Sequence, residues 1–133
     1  MLMAENAKGT AMVESAGGVS TAGREFVLVT ASMSGQYAVP LLFKPPVGLK
    51  GMVTVAPVGT GEFEQAQYEK VEIPVCIIYG ALDSGIGEQS KANLVHIPNH
   101  QLVVVPDGEH AAYKTDPQFF YQQVVKWLNE FFD

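Results

Sequence analysis

A single cysteine, Cys76, stands among 133 residues. That excludes an intrachain disulfide and any metal cluster built on several thiolates, and it suits a reducing compartment. Basic residues are few, eight against fourteen acidic ones, for a net charge of −6. With no basic run as well, nucleic acid and anionic membrane surfaces are not expected partners. Long apolar runs are also missing: nothing approaches the ~20 residues of a membrane span. The N-terminus, MLMAENAKGT, places Glu5 where a secretory signal needs unbroken apolar residues. The expected location is therefore the cytoplasm, with the nucleus second.

What is present is core material. Hydrophobic residues make up 47% of the chain, enough for one domain of this length to bury roughly two-thirds of its unfolded surface. Residues 1–24 are mostly Ala, Gly, Ser and Thr without sustained periodicity, and are expected to form a flexible or truncated leader. Residues 25–133 are different. The runs Phe26–Val29, Val53–Val58, Val75–Tyr79 and Leu102–Val105 are continuous and rich in β-branched residues, as in strands buried on both faces. Helical composition separates them at Glu62–Val71 and Gly87–Val95. The alternation predicts an α/β fold of about four parallel strands with flanking helices. A last helix is predicted from Pro117, with Asp116 as N-cap. Its apolar stripe is Phe120, Val124, Trp127, Leu128 and Phe131, which reads as core rather than a ligand box.

Three loops carry chemistry. The first strand runs into Ser32-Met33-Ser34-Gly35-Gln36-Tyr37. A strand, a tight turn of small residues around a serine, and a helix start are the layout of a nucleophile elbow. Centred on Ser34, the pattern departs from G-x-S-x-G, with Ser32 and Gln36 in the glycine positions, and the Gly35 N–H is the expected oxyanion donor. Asp83 follows the third strand behind Gly80, and His110 follows the fourth in Asp107-Gly108-Glu109-His110. Each alone could be an ordinary loop residue. Together they stand in the order Ser…Asp…His, each after its own strand, and a parallel sheet opens all such loops on one edge. The expectation is a triad of Ser34, Asp83 and His110, performing acyl transfer through a covalent acyl-enzyme.

The segments VLVTASMSGQYAVPLL, MVTVAPV, IPVCIIYGALD and IPNHQLVVVPDGEHAAY resemble the alpha/beta-hydrolase domain-containing protein 14 family. The elbow of that family looks like S-x-S-G-x-aromatic with a proline three residues on, matched here by Ser32, Ser34, Gly35, Tyr37 and Pro40. The resemblance implies the C-terminal half of an α/β-hydrolase lacking its N-terminal strands and the loop that supplies a second oxyanion donor. It also implies small acyl esters or amides as substrates, with coenzyme A as a further acyl acceptor to consider. Leu41, Phe43 and Tyr113 could line an acyl pocket or belong to the core. No metal is expected, because Pro98 breaks any helix between His96 and His100. Cys76, inside an apolar strand, is expected to be a buried small hydrophobe.

Two rivals stand beside the hydrolase. One is a catalytically impaired fragment acting as a protein-interaction module, with an apolar strand edge open to a partner or a second copy. The other is a flavodoxin-like domain with an anion site, opposed by the absence of an acidic cluster at the first strand end.

Overall fold

The computed structural model describes Leu2–Ala4, Val13–Glu14 and residues 24–132. The strands are β1 (Leu2–Ala4), β2 (Val13–Glu14), β3 (Phe26–Ala31), β4 (Leu49–Val55), β5 (Val75–Gly80) and β6 (His100–Val105). The helices are α1 (Gly35–Ala38), α2 (Gln65–Tyr68), α3 (Ile86–Leu94), α4 (Ala112–Thr115) and α5 (Pro117–Phe132). One sheet runs in the order β2-β1-β3-β4-β5-β6. The run from β3 to β6 is parallel throughout, as the apolar segments predict.

Side-chain alternation divides the core into two layers. On one face Leu28, Met52 and Ile77 pack with Val39, Leu42, Tyr68, Leu94 and Ile97. On the other, Val27, Val53, Val55, Cys76, Ile78, Val103 and Val105 meet Trp127 and Leu128 of α5. Every residue of β5 is buried, as a strand covered on both faces requires. Burial pushes the Cys76 thiol up to about 12, with Glu130 adding to it. Such a thiol is a packing group rather than a nucleophile. Asp116 Oδ1 accepts the Phe119 N–H at 3.1 Å, so it caps α5 as expected. Among the described residues no helix is long and apolar enough to cross a membrane.

Several expectations are corrected. The second strand covers Leu49–Val55 rather than 53–58, because Ala56 adopts φ +43° and Pro57 has no N–H for a ladder. The helix expected over Glu62–Val71 shrinks to a 3-10 turn at Thr60–Glu62 and the four residues of α2. The helix ends in a tightened turn, where the Lys70 and Val71 N–H groups donate to the Gln67 and Tyr68 carbonyls at 3.2 and 3.1 Å. In α5, Phe132 rather than Phe131 packs on the core; Phe131 is 37% exposed. The outer edge of β3 is not wholly open either: Leu2–Ala4 pairs antiparallel with Val27–Val29, and Val13–Glu14 pairs with β1 in turn. The rest of the expected leader up to residue 23 lies outside the described residues.

One buried group stands out below the elbow. Thr30, at the end of β3, is 1% exposed, and its Oγ1 has no hydrogen-bond partner among the described residues. An unsatisfied buried hydroxyl costs roughly 1–3 kcal/mol. The Thr30→Val substitution keeps the shape and removes the hydroxyl, so it is expected to raise stability by about 1 kcal/mol. A urea titration with unchanged m-value and a higher midpoint is the check; a lower midpoint would mean that the hydroxyl is satisfied in solution.

Candidate active site

The C-terminal ends of β3, β5 and β6 open on one edge of the sheet, and the three chemical loops meet there. At the end of β3 the chain turns at Ser32, whose φ is +49°, one of three positive values outside glycine among the described residues. A serine in the left-handed region is strained, and the turn lifts its side chain off the strand. Ser32 Oγ lies 2.7 Å from His110 Nε2. On the other side of the ring, His110 Nδ1 lies 2.7 Å from Asp83 Oδ2. A carboxylate only accepts, so Nδ1 carries the proton and Nε2 is left as acceptor for the Ser32 hydroxyl. The Asp83 side chain is 7% exposed and that of His110 39%. The acid is therefore shielded while the imidazole faces the solvent side.

Close backbone approaches set this geometry. The Ala81 N–H donates to the Val105 carbonyl at 3.0 Å, and the Leu82 N–H to the Gly108 carbonyl at 2.8 Å. These bonds tie the loop of Asp83 to the loop of His110. Gly80 makes the crossing feasible, since a Cβ there would run into the carbonyls of Gly108 and Glu109. Gly87, in the first turn of α3, lets that helix lie against the acid: a Cβ would sit 2.7 Å from Asp83 Cγ.

Asp83 and His110 thus meet as expected, but the serine at 2.7 Å is Ser32, not Ser34. The strand continues through Ala31, so the residue at the turn itself is Ser32. Ser34 has already entered the 3-10 turn Ser32–Ser34. Gly35 changes role as well. Its N–H points at the carbonyls of Ser32 and Met33, so it closes the turn rather than facing an oxyanion. What Gly35 provides is space: a Cβ would lie 2.6 Å from Pro57 Cβ and 2.7 Å from Val58 N. The expected elbow helix is only four residues long and passes into a 3-10 turn at Val39–Leu42, with Pro40 in its first turn.

Of the candidate pocket residues, Leu41 and Phe43 pack on the core, Phe43 against Phe63 and Tyr68. Tyr113 is 37% exposed. Met33, Tyr37 and Leu82 are exposed apolar side chains, with Met33 next to Ser32 and Leu82 next to Asp83.

No family model matches the chain. Protein ABHD14A of Danio rerio is 40% identical over 104 residues, which cover 78% of this chain and 38% of that protein. ABHD14B of Rattus norvegicus, named as a candidate protein-lysine deacylase, is 35% identical over 104 residues, 78% of this chain and 49% of its own length. The chain spans less than half the length of these relatives. Among solved structures, MGS-MChE2, an alpha/beta hydrolase enzyme from lagoon sediments of Mar Chica, Morocco, matches with a TM-score of 0.69 at 19% identity. That match covers 80% of this chain and 62% of the other, and it identifies the fold as part of an α/β-hydrolase.

Proposed function

Because the chain belongs to the ABHD14 family of α/β-hydrolases, we propose that it carries the Ser-His-Asp face of a serine hydrolase acting on small acyl esters or amides. Ser32 is the nucleophile, His110 the base and Asp83 the acid. The observation that carries this reading is the unbroken chain of two 2.7 Å contacts from Ser32 through His110 to Asp83. Ser32 Oγ attacks the acyl carbonyl as His110 Nε2 takes its proton, and Asp83 stabilises the imidazolium. The proton then passes to the leaving alcohol or amine, leaving an acyl-enzyme. Water, or a thiol such as coenzyme A in its place, resolves that ester with His110 again as base. On such elbows the residue after the nucleophile donates its N–H to the oxyanion, which here is Met33. The name of the ABHD14B relative makes an ε-acyl-lysine amide a substrate to try. The exposed Met33 and Leu82 flanking the site suit the acyl part of such a substrate.

Mapping a fluorophosphonate adduct tests the assignment. Peptide mass analysis of the labelled, folded chain is expected to find the adduct on Ser32. An adduct on Ser34, or no adduct at all on folded protein, would end this reading.

A further inference from the structure

The turn after β4 lies against the elbow at several points that the triad itself does not use. The Val58 N–H donates to the Ser32 carbonyl at 2.9 Å. Gly35 packs so closely on this turn that no Cβ would fit between it and Pro57 or Val58. The turn is itself anchored: Ala56 is fully buried, adopts φ +43°, and donates its N–H to the Ile78 carbonyl of β5 at 3.1 Å. Two strained non-glycine residues, Ser32 and Ala56, thus end neighbouring strands. Strain of this kind persists only where the surroundings over-determine it. Here the link is direct, because the kink at Ala56 carries the chain to where Val58 can reach the Ser32 carbonyl.

We infer that the turn Ala56-Pro57-Val58 is a positioning clamp for the nucleophile, with the Val58 N–H holding Ser32 in its left-handed conformation and its Oγ on His110. The inference rests on the Ser32 reading for its effect on chemistry, whereas the clamp itself is a statement about geometry. Val58 does not touch the reacting atoms. It acts through the Ser32 backbone, so its side chain is dispensable and its amide is not.

The test compares Val58→Pro, which deletes the donor, with Val58→Ala, which keeps it. A misplacement of about 1 Å can cost on the order of 10²-fold in rate. Fluorophosphonate labelling of Val58→Pro is therefore expected to slow by about that factor, while Val58→Ala stays near wild type. Leu94→Ala serves as the control for stability alone, since Leu94 is fully buried in the core layer; it should melt earlier yet label at the wild-type rate. Crystal structures of wild type and Val58→Pro give a second readout that needs no labelling: the Ser32–His110 contact is expected to be lost in the variant. A retained contact, or a loss of labelling matched by Leu94→Ala, overturns the clamp. Should Val58→Pro not fold, amide exchange in the wild-type chain decides, because a Val58 amide exchanging as fast as an open loop overturns it too. A wild-type chain that takes no label would instead sink the hydrolase reading and leave the structural comparison to decide the clamp.

Discussion

Changing Asp83 to asparagine is expected to slow fluorophosphonate labelling of Ser32 by roughly 10³–10⁴, by analogy with triads in which the acid is made an amide, while leaving the fold in place. The reason is a tautomer. Asp83 Oδ2 sits 2.7 Å from His110 Nδ1 and can only accept, so Nε2 is free to take the serine proton. An asparagine can turn its NH₂ to Nδ1, which fixes the ring proton on Nε2 and removes the base. Asp83 is buried at the first turn of α3, and the amide has nearly the same shape, so the packing should survive. Labelling kinetics and a thermal melt on the same sample check both halves. Wild-type labelling with an unchanged melt would remove Asp83 from the mechanism; a collapsed melt would assign it a structural role instead.

The four parallel strands were legible in the sequence because they leave continuous apolar runs such as FVLV, VCIIY and LVVV. Only β5 is buried throughout, however; β6, at the sheet edge, buries Val103 and Val105 but leaves Leu102 and Val104 exposed. The start of β4 was not legible. Leu49-Lys50-Gly51-Met52 breaks the run with a charge and a glycine, yet Gly51 is the residue that fits there. A Cβ at Gly51 would lie 3.0 Å from the rings of Trp127 and Phe132, a contact with a distant helix that no local pattern announces. The leader fared similarly. Leu2–Ala4 pairs with β3 although its composition carries no strand signal, because backbone pairing to an existing edge asks little of the side chains.

At the site, the pairing of Asp83 with His110 followed from topology, since loops after parallel strands share an edge. The serine did not follow so directly. Centring the elbow on Ser34 put Gly35 beside it, which looked like the small neighbour a tight turn needs. The usable signal was the strand end: Val29, Thr30 and Ala31 all continue β3, so the first residue free to turn is Ser32. Counted from there, Thr30 and Ser34 occupy the two glycine positions of G-x-S-x-G. Gly35 then packs under Pro57 and Val58 rather than facing substrate. Both glycine positions hold small β-branched or hydroxyl residues, which explains why a search for the glycines fails.

Gly80→Ala is expected to damage both the fold and the labelling of Ser32. Gly80 ends β5, and its Cα is so close to Gly108 that a Cβ on Gly108 would lie 2.9 Å from it. A Cβ on Gly80 would drive into the carbonyls of Gly108 and Glu109, which are backbone and cannot rotate aside. The loop after β6 must therefore move outward, and His110 is the next residue along it. The same movement strains the bonds from Ala81 to Val105 and from Leu82 to Gly108. Overpacking of this kind typically costs about 1–3 kcal/mol, worth roughly 3–12 °C in a domain of this length. Displacing His110 from Ser32 and Asp83 by about 1 Å should cost a further factor on the order of 10² in labelling rate. Gly61→Ala is the matched control: a Cβ there meets only the end of the Gln89 side chain at 3.5 Å, so neither the melt nor the labelling should change. If Gly80→Ala lowers the melt but labels at the wild-type rate, the β6 loop has yielded elsewhere, and the crossing at Gly80 supports the fold without setting the position of His110.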